Sequence, residues 1–138
     1  MFEELDEYKN RGHFFFQKGD LLSVQNIDVP ELPGVYYILR LAEGKVDLVY
    51  IGKSGTMQQN GQFKSQFLKG RINNKQEGLE RQQFFDKKIE LENIDGLDIY
   101  WFVTYDQDQK DLPAFVKAQL LQSYFDLHSS LPPWNKEF

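Results

Sequence analysis

The sequence predicts a small α/β domain of the α+β type, in which a three-stranded mixed or antiparallel sheet is flanked by helices. Three segments rich in β-branched and aromatic residues predict strands at 34–41, 47–52 and 97–105. The spacing of apolar residues predicts helices at 63–72, 78–92 and 113–129. A chain of 138 residues, 41% of them hydrophobic, is long enough for one core and too short for two.

The first two predicted strands form a β-hairpin. The sequence AEGK at 42–45 supplies a polar turn that contains Gly44. Positions symmetric about such a turn face each other, with Cβ atoms ~4.5 to 5.5 Å apart. With Glu43 as the middle of the turn, Tyr36 and Tyr50 are predicted to face each other. An ordinary aromatic cross-strand pair is one explanation, and a functional pair of phenols is the other.

The third predicted strand, at 97–105, is bounded by Asp95-Gly96 and by a polar segment, and we expect it to lie centrally in the sheet. Leu112 and Pro113 then mark the start of the last helix, because proline is well tolerated in a first helical turn. Residues 1–32 are predicted to form an N-terminal arm or helix, and residues 33–138 form the predicted domain.

The composition excludes several kinds of protein. Cysteine is absent, which excludes disulfides, thiolate zinc sites and cysteine nucleophiles. The N-terminus lacks the apolar core of a signal peptide and charges interrupt the apolar segments, so we expect a cytoplasmic protein without membrane insertion. A net charge of -5 argues against a protein that coats nucleic acid, although it permits a local basic cleft. The sequence leaves the oligomeric state open.

Short motifs around the hairpin carry the functional information. The tripeptide Gly-Val-Tyr at 34–36 lies in the first strand, and Tyr-Ile-Gly at 50–52 lies in the second. Further matching residues follow at Lys53, Arg71 and Asn135. In this order the motifs resemble the GIY-YIG nuclease family, which includes excision-repair, homing and restriction endonucleases. The resemblance covers roughly residues 33–135 and implies a GIY-YIG-like fold.

The resemblance implies hydrolysis of phosphodiester bonds in DNA, with Mg²⁺ as the cofactor. By position, the family's catalytic residues correspond to Tyr36, Tyr50, Lys53, Arg71 and Asn135. The substrate-binding residues that it implies are Lys53, Arg71, Lys75 and Lys117. One tyrosine would act as general base and the other as its hydrogen-bond partner, and the sequence does not say which. A tyrosine with a pKa of ~10 needs nearby positive charge for that role, which a lysine and an arginine can supply.

One position departs from the family pattern. The family places a metal-binding glutamate on the last helix, and Lys117 occupies that position here. Magnesium prefers oxygen ligands, commonly one or two carboxylates, and an ammonium group offers none. The sequence therefore predicts a DNA endonuclease domain with impaired cleavage. The alternatives are a non-catalytic nucleic-acid-binding or regulatory module of the same fold and a structural interaction domain.

Two further segments allow more than one interpretation. The residues between Tyr50 and Arg71 form a long insertion, which is either a DNA-facing loop or a plain surface excursion. The positive charges from Arg71 to Lys75, with Arg81 and others, form either a basic face or an ordinary mixed helical surface, because acidic residues lie between them.

Overall fold

The computed structural model describes residues 1–64 and 67–138, and it shows an α+β fold with one four-stranded antiparallel sheet and four helices. A 3-10 turn at Glu3–Leu5 precedes the first strand. The strands are β1 (Arg11–Phe16), β2 (Gly34–Ala42), β3 (Lys45–Ser54), β4 (Thr56–Met57), β5 (Phe63–Lys64), β6 (Lys75–Gln76), β7 (Leu79–Glu80) and β8 (Gly96–Val103). The helices are α1 (Leu22–Gln25), α2 (Leu68–Ile72), α3 (Arg81–Leu91) and α4 (Pro113–His128).

The main sheet has the strand order β1-β8-β2-β3, and β4-β5 and β6-β7 form two small ribbons. The central position predicted for the third strand is confirmed, because β8 pairs with both β1 and β2. The prediction of three strands is wrong, because β1 adds a fourth at the edge. In β1 the side chains of Phe14 and Phe16 are buried and that of Phe15 is exposed. Three consecutive phenylalanines conceal this alternation in the sequence.

The predicted hairpin is confirmed, but its predicted register is wrong. Its turn consists of Glu43 and Gly44, which both have positive φ, as in the tight turns that suit twisted strands. A β-bulge then shifts the pairing beyond Ile38, so that Tyr36 lies opposite Gly52. Tyr50 lies opposite Ile38. The two tyrosines are therefore diagonal neighbours, with ring centroids 6.0 Å apart.

The helices cover both faces of the sheet. On one face α2 and α3 pack against a cluster that includes Tyr36 and Ile38, and on the other α4 packs against a cluster that includes Val35 and Tyr37. Because successive residues of a strand point to opposite faces, the two tyrosines of β2 belong to different cores. The predicted helix at 113–129 corresponds to α4. The helix predicted at 78–92 begins later than predicted, because Gly78 has positive φ and Leu79–Glu80 form β7, so that α3 begins at Arg81.

The helix predicted at 63–72 is shorter in the structure. Ser65 and Gln66 lie outside the described residues, and a helix is formed by Leu68–Ile72. Phe63 instead pairs in β5, where its ring contacts that of Tyr105 at 4.8 Å between centroids. Over the ranges that the structure describes, no helix combines the length and the apolar character needed to cross a bilayer.

Candidate phosphate-binding site

The glycines of the two tripeptides are required by close packing. A Cβ atom on Gly52 would lie 2.5 Å from Cζ of Tyr36, because the tyrosine ring rests on the backbone of β3. A Cβ atom on Gly34 would lie 2.0 Å from the carbonyl oxygen of Phe102 on the neighbouring strand. Any larger residue at either position would force the strands or the ring apart. The two glycines therefore fix the position of Tyr36.

Tyr36 lies in the core, with 1% of its surface exposed. Its hydroxyl oxygen accepts a hydrogen bond of 3.1 Å from Nη1 of Arg81. A side chain buried in this way does not meet a substrate from solvent. Of the two tyrosines predicted as catalytic, Tyr36 is thus placed to support its neighbour, and Tyr50 is the one with partial access to solvent.

Arg81 is the site residue that the sequence analysis missed. It is the first residue of α3, it is 2% exposed, and its guanidinium lies 5.6 Å from the ring of Tyr50 and 5.8 Å from that of Tyr36. Within the described parts of the chain, Nε of Arg81 has no hydrogen-bond partner, and no carboxylate oxygen lies within 4.0 Å of a guanidinium nitrogen of Arg81. A signal was available, because Arg81 precedes Phe84 and Phe85 by three and four residues and so shares their buried helix face.

Tyr50 is half-buried on β3 beside these groups. Burial raises the pKa of its phenol to about 12, and the neighbouring Tyr36 adds to the rise, while the positive charges of Arg81 and Arg71 oppose it. The positive charge near Tyr50 therefore does not offset burial. Near neutral pH Tyr50 is a phenol that donates or accepts hydrogen bonds.

Three predicted cationic residues lie near one another at the β3 edge of the sheet, and one of them, Lys117, lines a cavity together with Tyr50. Lys117 lies on α4, Lys53 lies within β3, and Arg71 is exposed on α2. Burial lowers the pKa of Lys117, and the charges of Lys53 and Arg71 lower it further, with partial compensation by Glu137. The pKa of Lys53 is likewise lowered by burial and then by Arg71. We call Lys53, Arg71 and Lys117 the cationic cluster. An anion such as phosphate, bound there, would offset the repulsion among the three positive charges.

Asn135 has a structural role that the geometry makes clear. Its Oδ1 accepts a hydrogen bond of 2.9 Å from the backbone N–H of Ile51, and its Nδ2 donates one of 3.0 Å to the carbonyl of the same residue. The backbone N–H of Trp134 also donates to the carbonyl of Val49 at 2.8 Å. These bonds hold the C-terminal tail along the outer edge of β3, beside Tyr50.

Lys75 stands apart from the other predicted substrate-binding residues. It is exposed in β6, where its partner across the ribbon is Glu80. Its charge is not among those that shift the pKa of Lys53 or Lys117. The structure thus brings Lys53, Arg71 and Lys117 together, with Tyr50 near Arg71 and Lys117, Tyr36 beside Tyr50, and Asn135 at the edge.

The residues of the cluster do not suit the Mg²⁺ that the sequence resemblance implies. Lys117 replaces the expected carboxylate, and two more cations lie near it. In the ranges 1–64 and 67–138, no group of three or more His, Cys, Asp or Glu side chains is placed to hold a metal ion. Divalent magnesium needs oxygen ligands and is repelled by ammonium and guanidinium groups.

The fold and the site together define an α+β domain with a cationic cluster beside a half-buried tyrosine. Comparisons with protein-family models, with curated proteins and with solved structures each found no match for this chain.

Proposed function

We propose that this chain is a GIY-YIG-like DNA endonuclease domain that binds the phosphodiester backbone at the cationic cluster, with metal-dependent cleavage impaired by Lys117. The observation that carries the proposal is that Lys53, Arg71 and Lys117 lie close enough for their charges to act on one another, and that the charge of Arg71 also reaches Tyr50. These three residues come from β3, α2 and α4, so folding gathers positive charges that are distant in sequence.

The cluster suits a phosphodiester group in particular. The forked guanidinium of Arg71 matches two phosphate oxygens, and the two ammonium groups add point charges. Burial lowers the pKa of each lysine and repulsion among the cations lowers it further, and a bound phosphate offsets that repulsion. The phenol of Tyr50, which the charge of Arg71 reaches, supplies a neutral hydrogen bond to the phosphate or to a water molecule.

The same geometry predicts weak cleavage. With a pKa of about 12, Tyr50 is ionised in roughly one molecule in 10⁵ at pH 7, which makes it a poor general base. Lys117 removes the carboxylate on which the family's metal depends, so the leaving oxygen lacks its usual stabilisation. The chain therefore binds the backbone without turning it over efficiently.

Restoring the carboxylate tests the nuclease proposal. The variant Lys117→Glu should gain magnesium-dependent nicking of supercoiled plasmid DNA that the unchanged protein lacks. The matched control is Lys75→Glu, which makes the same charge reversal outside the cluster and should gain no activity. If Lys117→Glu folds normally and still fails to nick DNA at any magnesium concentration, the proposal of an endonuclease site is wrong.

The second candidate is a non-catalytic nucleic-acid-binding or regulatory module that uses the same cluster. It is favoured by the mismatch between the cluster and a divalent metal. Under this proposal DNA binding is equally strong in EDTA and in magnesium, and it weakens as salt is raised. Undetectable binding of DNA at low salt would refute both candidates.

A further inference from the structure

The two edges of the main sheet differ in how far the described chain covers them. At the β3 edge, the C-terminal tail hydrogen-bonds to the strand through Trp134 and Asn135. At the opposite edge, β1 pairs with β8 alone among the described strands. β1 contains no proline, and over its described residues its register with β8 runs without a bulge. Prolines and bulges are common means of protecting an edge strand, so β1 remains able to pair with a further strand.

Alternate residues of β1 present their backbone groups to this open edge. The carbonyl of Asn10 accepts a hydrogen bond of 2.9 Å from the backbone N–H of Val103. Because every second residue of an antiparallel strand bonds to the same neighbour, this bond assigns the even-numbered residues of β1 to β8. The N–H and C=O groups of Arg11, His13 and Phe15 therefore point away from β8, towards the open edge.

The side chains of these three residues are accessible to a partner. All three are exposed, and 46% of the surface of Phe15 is accessible. The imidazole of His13 stacks on the ring of Tyr100 with centroids 4.7 Å apart, and Tyr100 stacks on Tyr37 at 5.1 Å. This stack of rings crosses the sheet and ends at His13, because β1 is the last strand of the described sheet. A ring supplied by an added strand would continue the stack.

Apolar side chains next to β1 enlarge the exposed surface. The short helix α1 packs against β1. Leu21, Val24 and Ile27 follow one another at a helical spacing of three residues in and beside α1, and each is more than half exposed. Exposed apolar side chains grouped beside an open strand edge are typical of a protein–protein contact.

We propose that β1 pairs with β1 of a second copy of this chain, antiparallel about a twofold axis through His13, so that the two sheets become continuous. A second copy is favoured because the outward residues are spaced symmetrically about His13, as an isologous contact requires. In this pairing each Arg11 lies opposite Phe15 of the other copy, so a guanidinium meets a ring rather than a second guanidinium. The two imidazoles meet at the axis, where Asp98 of each copy, 2.8 Å from Nδ1 of His13, offsets any charge on them.

Sedimentation equilibrium of the full chain, from low-micromolar to near-millimolar concentration, should show the mass rise from 16.3 kDa towards twice that value. The variants Phe15→Lys and Phe15→Glu both remove the exposed ring and differ in charge. Phe15→Glu should dimerise at about tenfold lower concentration than Phe15→Lys, because each dimer holds two contacts between residue 15 and Arg11. In an Arg11→Glu background this order should reverse. Val46→Lys and Val46→Glu, matched changes at an exposed position of β3, should dimerise equally well.

Hydrogen exchange locates the contact on the chain. The backbone amides of His13 and Phe15 should exchange more slowly as the protein concentration rises. A chain that stays monomeric over the whole concentration range would overturn the inference. So would a dimer in which exchange of these amides is independent of concentration, or equal dissociation constants for Phe15→Lys and Phe15→Glu. The cationic cluster includes Lys53 on β3, at the opposite edge of the sheet, so DNA binding tests the proposed function separately.

Discussion

Neutralising Lys117 should weaken DNA binding and stabilise the fold at the same time. The folded protein holds this ammonium group partly buried and close to Lys53 and Arg71, which lowers its pKa. A lowered pKa means that the unfolded chain binds more protons than the folded protein between the folded pKa and about pH 10.5. Stability therefore rises with pH in that window, and the charge costs stability at neutral pH. The variant Lys117→Met retains an unbranched apolar side chain and removes that cost.

The magnitude follows from the three charges of the cluster. If each cation neutralises one phosphate of duplex DNA, the logarithm of affinity falls with the logarithm of salt with a slope of roughly -2.7. Affinity then drops roughly 40-fold between 50 and 200 mM salt. With two cations left in Lys117→Met, the slope becomes roughly -1.8 and the drop roughly 12-fold. Relief of repulsion at a half-buried site is worth about 1 kcal/mol, or roughly 3 °C in melting temperature.

Anisotropy titrations at four salt concentrations and a thermal melt measure both effects. Lys75→Met is the matched control, since Lys75 lies outside the cluster and should leave the slope and the melting temperature nearly unchanged. A slope in Lys117→Met equal to that of the unchanged protein would refute the reasoning, because Lys117 would then touch no phosphate. A fall in melting temperature would refute the claim that the cluster is electrostatically strained.

Packing and titration around the site lead to three more measurements. Gly52→Ala should lower the free energy of unfolding in urea by about 2 to 3 kcal/mol, because the new methyl group would overlap the ring of Tyr36. Gly70→Ala is the control, since a Cβ atom there would have no neighbour closer than 3.6 Å. Equal urea midpoints for the two variants would contradict the close packing at Gly52. Asn135→Ala should lower the free energy of unfolding by about 1 to 2 kcal/mol and speed hydrogen exchange of the backbone amides at the edge of β3. Unchanged exchange would contradict the role of the two Asn135 hydrogen bonds in holding the tail on β3. Burial raises the pKa of Tyr50 to about 12, so its phenol contributes stability that is complete below pH 10 and is lost as the pH rises from 10 to 12. The variant Tyr50→Phe should make that decline in stability shallower. An identical dependence of stability on pH in the variant would contradict the raised pKa.

The sequence predicted the parts of the fold that depend on local pattern. The hairpin, the central strand and the last two helices were visible as apolar spacing bounded by turn residues. Their register was not, for two reasons. The turn consists of two residues, Glu43 and Gly44, which moves the pairing by one residue from the prediction centred on Glu43. The β-bulge beyond Ile38 moves it by one more, and a bulge depends on pairing across the sheet rather than on local residue preference. Together these shifts placed Tyr36 opposite Gly52 and turned two predicted facing phenols into a diagonal pair with unequal exposure.

The residues of the site were predictable to different degrees. The positions of Lys53, Arg71 and Lys117 followed from a motif resemblance, and the structure brings them together. Arg81 was overlooked because charged residues are usually exposed, and its neighbours in sequence are polar. The interior position of its guanidinium depends on the rings of Tyr36 and Tyr50, which are 45 and 31 residues away along the chain.

The most direct measurement of the central claim is a crystal structure of the protein with a short DNA duplex. The account predicts a backbone phosphate with its oxygens within about 3 Å of Nζ of Lys117 and of a nitrogen of Lys53 or Arg71. A complex in which the backbone crosses another face of the protein and leaves these three side chains in contact with water would contradict it.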